Sequence, residues 1–301
     1  MYQPVRHSRS AFVPIRGLSY HVRLWGEPST QRPPLVLLHG WMDVAASWQF
    51  VVDAMAQDRF IVAPDWRGFG LTSVPGADNY WFPDYLADLD ALLDHFSPDA
   101  PVHLAGHSMG GNVAMMYAGV RPSRIARLAN LEGFGLPATR PAQAPGRYAR
   151  WLDEVKALHR GETVLADYAD ADGVAARLMK TNRRLPADKA GWLARHWAEP
   201  GDDGRWRILG DAAHKITGAN LYRADEALEI YRRVEAPVLW VEAGDDSLSQ
   251  WWKGQFTRAE FHDRLRAVPR VEKARVEDAG HMLHHDQPRA VAHLLETFFA
   301  K

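Results

Sequence analysis

Apolar residues in this chain fall in short unbroken runs separated by longer stretches of helical period. Leu35-Val36-Leu37-Leu38 is followed by His39-Gly40 and then by an amphipathic stretch from Ser47 to Met55, the pattern of strand, turn and helix. The unit repeats. Phe60-Ile61-Val62-Ala63 ends at Pro64-Asp65, a helical pattern covers Asp84 to Phe96, and Val102-His103-Leu104-Ala105 runs into Gly106. Continuous apolar strands joined by helices predict a parallel sheet covered on both faces. Ahead of them, Ala11 to Trp25 alternates about Arg16-Gly17 and predicts an antiparallel hairpin.

After a strand over Arg127 to Leu131 the pattern breaks, and no comparable strand follows until Val238-Leu239-Trp240-Val241. A crossover between parallel strands needs only about a dozen residues. The surplus, 133–234, carries helical patterns at Tyr148 to His159, Val174 to Lys180 and Lys189 to Trp197, punctuated by Pro137, Pro141, Pro145, Pro186 and Pro200. It reads as an inserted helical cap on a core made of 1–132 and 235–301. The core resumes at Val238, with a helix over Phe256 to Val268, a strand over Lys273 to Glu277 and a terminal helix over Gln287 to Phe299.

Composition narrows the chemistry. The 301 residues hold 36 Lys+Arg against 37 Asp+Glu, a formal net charge of −1, which argues against a nucleic-acid partner. There is no cysteine, so disulfides, thiolate metal sites and cysteine nucleophiles are excluded. No run has the roughly 20 apolar residues of a membrane span and no signal peptide is legible at the N-terminus, so a cytoplasmic location without a membrane partner is expected. No glycine pattern has dinucleotide or phosphate-loop spacing, and no cofactor is expected. Composition says nothing of oligomeric state.

The strongest chemical signal is Gly106-His107-Ser108-Met109-Gly110, set between the Val102 strand and a helical run from Asn112 to Val120. A serine on so sharp a strand-to-helix turn is forced to positive φ, and small residues two before and two after make room for it. The turn lifts its hydroxyl above the carboxyl ends of the strands, where open α/β sheets bind ligands. A serine hydroxyl needs a base, and the base needs a carboxylate. His281, in Gly280-His281-Met282 after the last strand, is the candidate base; His284 and His285 read as solvated or capping residues at the approach to the final helix. Asp246, at the end of the Val238 strand, is the candidate carboxylate, with Asp245 one position away and Glu132, at the end of the Arg127 strand, as the alternative. For an oxyanion, the backbone N–H groups of Met109 and of Trp41, in His39-Gly40-Trp41, are the expected donors. Aromatic residues in and beside the insertion (Tyr148, Trp151, Trp192, Trp197, Trp206, Tyr222) read equally as the cap's own core or as an apolar pocket. Trp251, Trp252 and His107 are expected to line that pocket, and Arg183 and Arg184 read as solvated rather than as a carboxylate clamp. His281, His284, His285 and Asp286 have one ligand-like spacing but no partner cluster in the sequence, so no metal is expected.

In their order, His39-Gly40-Trp41, Asp65-Trp66-Arg67-Gly68-Phe69-Gly70, the Ser108 turn, the run from Pro237 to Asp246 and Gly280-His281 resemble the α/β-hydrolase superfamily, over nearly the whole chain outside the cap. The likeness is to its esterase, haloperoxidase and C–C hydrolase branch. It implies an eight-stranded, mostly parallel sheet with a helical cap after the sixth strand, favours Asp246 over Asp245, and gives Asp65 and Arg67 structural roles. Ser108 stands where dehalogenases and epoxide hydrolases carry Asp, and His107 where C–C hydrolases usually carry Asn. The expectation is a serine hydrolase acting on a small, largely apolar carboxylic ester through an acyl-enzyme. C–C hydrolase, lactonase and perhydrolase chemistry share these residues, and a binding protein on the same scaffold is the alternative of a different class.

Overall fold

A computed structural model describes residues 2–301. Among the described residues eleven strands are present: β1 (Arg9–Ile15), β2 (Leu18–Trp25), β3 (Leu35–Leu38), β4 (Ile61–Pro64), β5 (Val102–His107), β6 (Ile125–Leu131), β7 (Asp167–Tyr168), β8 (Ala198–Pro200), β9 (Trp206–Ile208), β10 (Val238–Ala243) and β11 (Val271–Val276). Eight of them form one sheet in the order β1-β2-β4-β3-β5-β6-β10-β11. β1 and β2 make the expected hairpin, turning at Arg16 and Gly17, both at positive φ. β2 also runs antiparallel to β4, and every other pairing in this sheet is parallel.

The register explains why the strands read as unbroken apolar runs. Val62, Val36, Leu104, Leu128 and Val238 are neighbours across five strands and point into one core layer. Their chain neighbours Ile61, Leu35, Leu37, Ala105, Ala129 and Leu239 alternate to the other face and a second layer. Helices Phe82–Phe96, Met109–Val120 and Arg258–Leu265 cover the first layer; Gln49–Ala54 and Pro288–Phe299 cover the second. Leu104 is fully buried, and truncating it to Ala would cost about 2–5 kcal/mol. The chain leaves β3 toward β4 and returns on β3's other side as β5. That reversal opens a crevice at the carboxyl ends of β3 and β5, where the conserved geometry of open α/β sheets puts ligands.

The chain between β6 and β10 contains helices Ala144–His159, Ala171–Thr181 and Ala187–Trp197, close to the expected positions. Two features differ from the all-helical expectation. A three-stranded antiparallel sheet, β7-β9-β8, links the helices; strands of two or three residues are too short to show a period of two in sequence. The helix Ala224–Arg232, which the sequence assigned to the insertion, packs on Met109–Val120, and a Cβ on Gly119 would lie 2.1 Å from the Ile230 carbonyl oxygen. It thus belongs with the core, whose apolar layer includes Tyr231 and Val234.

The insertion's own core is Val174, Leu178, Leu185 and Leu193, closed against Val44, Ala46 and Phe50 from the chain after β3, with Trp192, Trp197 and Trp206 packed on its margin. Those three tryptophans are packing residues, whereas Tyr148 is exposed. Among the described residues no helix is long and apolar enough to cross a membrane.

Candidate active site

Ser108 sits between the last residue of β5 and the first residue of helix Met109–Val120, at φ 51° and ψ −115°. Such a backbone costs about 1–3 kcal/mol for a residue with a side chain and persists only where its surroundings enforce it. The surroundings are glycines. A Cβ on Gly106 would lie 2.3 Å from the Gly110 carbonyl oxygen, and one on Gly110 would lie 2.4 Å from that of Leu38. The Ser108 N–H donates to the Leu131 carbonyl at 2.8 Å, and its carbonyl accepts the Asn112 N–H at 3.0 Å, the first turn of the helix. Both ends of the turn are therefore fixed, and Ser108 is only partly buried.

The loop after β3 passes directly over this turn: a Cβ on Gly40 would sit 3.3 Å from Ser108 Cβ. His39 holds the loop in place. Its Nδ1–H donates to the Gly40 carbonyl at 2.7 Å, its Nε2 accepts the Trp66 N–H at 2.9 Å, and its own carbonyl accepts Trp66 Nε1–H at 3.1 Å. Burial lowers its pKa below the ordinary value, in keeping with this neutral tautomer. Among the described residues the N–H groups of Trp41 and Met109 have no backbone partner, and Met109 opens a helix whose first amides are unpaired by construction. Sequence reasoning saw the turn in His39-Gly40 but not the histidine's bracing role. Asp65 and Arg67 brace the next loop, Asp65 by accepting the Ala45 and Leu71 N–H groups at 2.6 and 2.9 Å, Arg67 through a two-pronged ion pair with buried Asp88.

His281 follows β11. Its Nδ1 lies 3.3 Å from Glu132 Oε2. Glu132 is buried and at φ 57°, in a bend closed by the Asn130 side chain, which accepts the Gly133 N–H at 2.9 Å and donates to its carbonyl at 3.1 Å. The carboxylate is held from two more sides, by the Ala243 N–H on Oε1 at 2.8 Å and by the Ser247 hydroxyl on Oε2 at 2.5 Å. Burial lowers the His281 pKa, and the Glu132 carboxylate opposes that shift. With Nδ1–H aimed at Glu132, the lone pair is on Nε2, the arrangement a general base requires. Ser108 Oγ and His281 Nε2 make no hydrogen bond to each other here. Such contacts are commonly long in a free enzyme and tighten around substrate.

The carboxylate facing His281 is thus Glu132 and not Asp246. Asp246 caps the short helix Ser247–Trp252, accepting the Ser249 N–H at 3.1 Å and the Ser249 hydroxyl at 2.7 Å, with Arg258 Nε at 3.5 Å. The chain turns into that helix one residue too early for Asp246 to face the imidazole, and Ser247 points inward in its stead. Asp245 faces outward and pairs with Arg184 of the insertion at 2.7 Å, so Arg184 is neither free nor a substrate clamp.

Other residues also depart from expectation. His107, expected to line the pocket, is buried, with Nε2–H donating to the His281 carbonyl at 2.7 Å. Trp252 packs against the main core. Trp251 does meet the site: it is 55% exposed, and its ring stands edge to face with His281 at 4.0 Å. Trp41 is likewise exposed. His284 and His285, expected at the surface, are buried.

The family model for the alpha/beta hydrolase fold matches residues 33–288. The chain belongs to the α/β-hydrolase family. As a member it is an enzyme-fold relative of a serine hydrolase-like protein of Danio rerio, 28% identical over 98% of this chain and 89% of that one. A 2-hydroxy-6-oxo-2,4-heptadienoate hydrolase of Pseudomonas putida is 33% identical over a shorter stretch, 34% of this chain and 38% of its own. Among solved structures, a hypothetical protein of Pseudomonas aeruginosa PAO1 superposes with a TM-score of 0.81 at 27% identity, covering 98% of both chains.

Proposed function

We propose that this α/β-hydrolase is a serine hydrolase that cleaves a small, largely apolar carboxylic ester through an acyl-enzyme. The observation that carries the reading is the buried, triply held Glu132 carboxylate on His281 Nδ1, together with a serine held at positive φ on the turn from β5 into helix Met109–Val120. In this reading Ser108 Oγ attacks the ester carbonyl as its proton passes to His281 Nε2, while Glu132 stabilises the imidazolium without taking the proton. The N–H groups of Trp41 and Met109 hold the oxyanion, worth several kcal/mol in the transition state. The tetrahedral adduct collapses, His281 returns the proton to the departing alcohol, and water, deprotonated by the same imidazole, frees the acid. No cofactor enters these steps. The exposed rings of Trp41 and Trp251 beside the turn and the imidazole favour an apolar substrate.

A fluorophosphonate probe tests the nucleophile: labelling is expected at Ser108 by mass and to vanish in Ser108→Ala. An unlabelled protein that binds ligands would make the chain a receptor. A panel of p-nitrophenyl esters, lactones and vinylogous diketones tests the substrate class, with ester turnover expected. A labelled enzyme that turns over only the diketones would move the reading to C–C hydrolysis.

A further inference from the structure

Beneath the Ser108 turn lies a second polar cluster that the proposed reaction does not use. Asp43 comes from the loop after β3, His107 is the last residue of β5, and His284 follows His281 by three positions. All three are buried, and one ligand-type atom from each lies within 4.8 Å of the others. Asp43 Oδ2, His107 Nδ1 and both ring nitrogens of His284 have no hydrogen-bond partner among the described residues. A buried polar atom left unpaired is costly, so several on one spot call for something between them.

What that something is follows from the atoms already engaged. Asp43 Oδ1 accepts the Val44 N–H at 2.9 Å, Trp197 Nε1–H at 3.1 Å and the Ser47 hydroxyl, leaving Oδ2 for the cluster. His107 donates its Nε2–H to the His281 carbonyl, so Nδ1 presents a lone pair. Two acceptors on one spot cannot satisfy each other. His284 cannot satisfy both, because its Nε2 stands 3.8 Å from Asp43 Oδ2, beyond hydrogen-bond reach. A metal-bound histidine ordinarily gives its other N–H to a carbonyl, and a metal-bound carboxylate is itself hydrogen-bonded on its second oxygen, as His107 and Asp43 are here. Two imidazoles and a carboxylate suit a borderline dication of the zinc class better than magnesium or calcium.

We propose that Asp43 Oδ2, His107 Nδ1 and His284 Nε2 bind one transition-metal dication of the zinc class beneath the Ser108 turn. Bound there, the ion ties together the loop carrying Trp41, the strand end carrying Ser108 and the loop carrying His281. The three residues lie far apart in sequence, which is why no ligand spacing betrayed them. The site stands on these side chains alone; its value to catalysis rests on the serine hydrolase reading.

The test is calorimetric titration of Zn²⁺ into chelator-stripped, untagged protein carrying Ser108→Ala, which separates metal binding from turnover and from the outcome of probe labelling. One saturable Zn²⁺ per chain is expected, with a raised Tm, because a ligand of the native state alone stabilises it. His284→Ala and Asp43→Asn should each weaken binding by more than about 10–100-fold, the loss usual for even an outer-shell partner. His262→Ala, a histidine on the far helix, should change nothing. Co²⁺ in place of Zn²⁺ should give the intense visible bands of a low-coordinate nitrogen and oxygen site. Absence of saturable Zn²⁺ on the folded Ser108→Ala protein overturns the proposal without reference to any variant and leaves a trapped water as the cluster's occupant. Equal binding in folded His284→Ala overturns it too.

Discussion

Glu132 turns its carboxylate onto the imidazole of His281 at 3.3 Å, although Asp246 also follows the carboxyl end of the adjacent parallel strand. What separates the two is the direction of the chain beyond each strand: a left-handed bend at Glu132, a helix start at Asp246. Glu132→Gln should therefore lower kcat/KM on a p-nitrophenyl ester by about 10³–10⁴-fold, the scale of losing the orienting carboxylate in other triads. Asp246→Asn should stay within a few-fold of the parent, since Asn also caps helices well. Steady-state kinetics on the two variants checks both. A dead Asp246→Asn beside an active Glu132→Gln would reverse the assignment.

How much of this was legible in the sequence depends on the range of each interaction. The strands were legible because burial on both faces leaves unbroken apolar runs, and the serine turn because its Gly106 and Gly110, demanded by backbone close by, form a short local motif. The carboxylate was not, because Glu132, Asp245 and Asp246 all stand at strand ends, and which one faces inward is set by local φ values that sequence does not display. The fate of His284 was hidden for another reason. Its environment is Asp43, Trp48 and His107, brought to it by the sheet from far upstream.

The glycines around the turn and in the insertion should respond to the same substitution with opposite signs. A Cβ on Gly110 meets the backbone of Leu38 and His39 at 2.4–2.7 Å, and backbone cannot swing aside. Gly110→Ala is expected to lower Tm, since overpacking costs about 1–3 kcal/mol, and to cut kcat by about 10²-fold or more as the oxyanion loop is displaced. Gly191, inside helix Ala187–Trp197, has nothing within 4 Å of a built Cβ. Gly191→Ala should stabilise by roughly 0.5–1 kcal/mol with unchanged kinetics. Urea unfolding of both variants provides the comparison, and a destabilised Gly191→Ala would contradict the packing described.

Mild acid should destabilise the fold through histidines buried away from the site. Burial, aided by Arg59 and Arg127, lowers His103 to about 4; burial and Arg23 lower His196 to about 4; burial lowers His214 to about 3 against opposing contacts with the Arg67 and Gly68 backbone. Each folded-state value lies below the unfolded one, near 6.5, so as pH falls through about 6.5 the unfolded chain gains protons that the folded chain refuses. Stability is full above pH 6.5 or so and declines below it, by up to about 1.4 kcal/mol per pH unit for each histidine. Urea midpoints at pH 7.5 and 5.0 should differ accordingly, and His103→Asn should reduce the slope. A midpoint that holds steady over this range would refute the neutral burial of these rings.

Trp251 offers a way to test the apolar-substrate reading without disturbing the fold. It is more than half exposed, so Trp251→Ala should change stability by no more than about 0.5 kcal/mol. Its ring nevertheless stands edge to face against His281 at 4.0 Å, the imidazole that is the base in the proposed reaction. An acyl chain laid along that ring gains roughly 0.8 kcal/mol per buried methylene, so butyrate should outrun acetate by about tenfold in kcat/KM for the parent enzyme. In Trp251→Ala that preference should collapse toward unity while acetate turnover changes little, because the hydroxyl, imidazole and carboxylate are untouched. Kinetics on the two p-nitrophenyl esters decide the matter. If the preference survives the substitution, the acyl chain runs elsewhere, and Trp251 serves only to shield His281 from water.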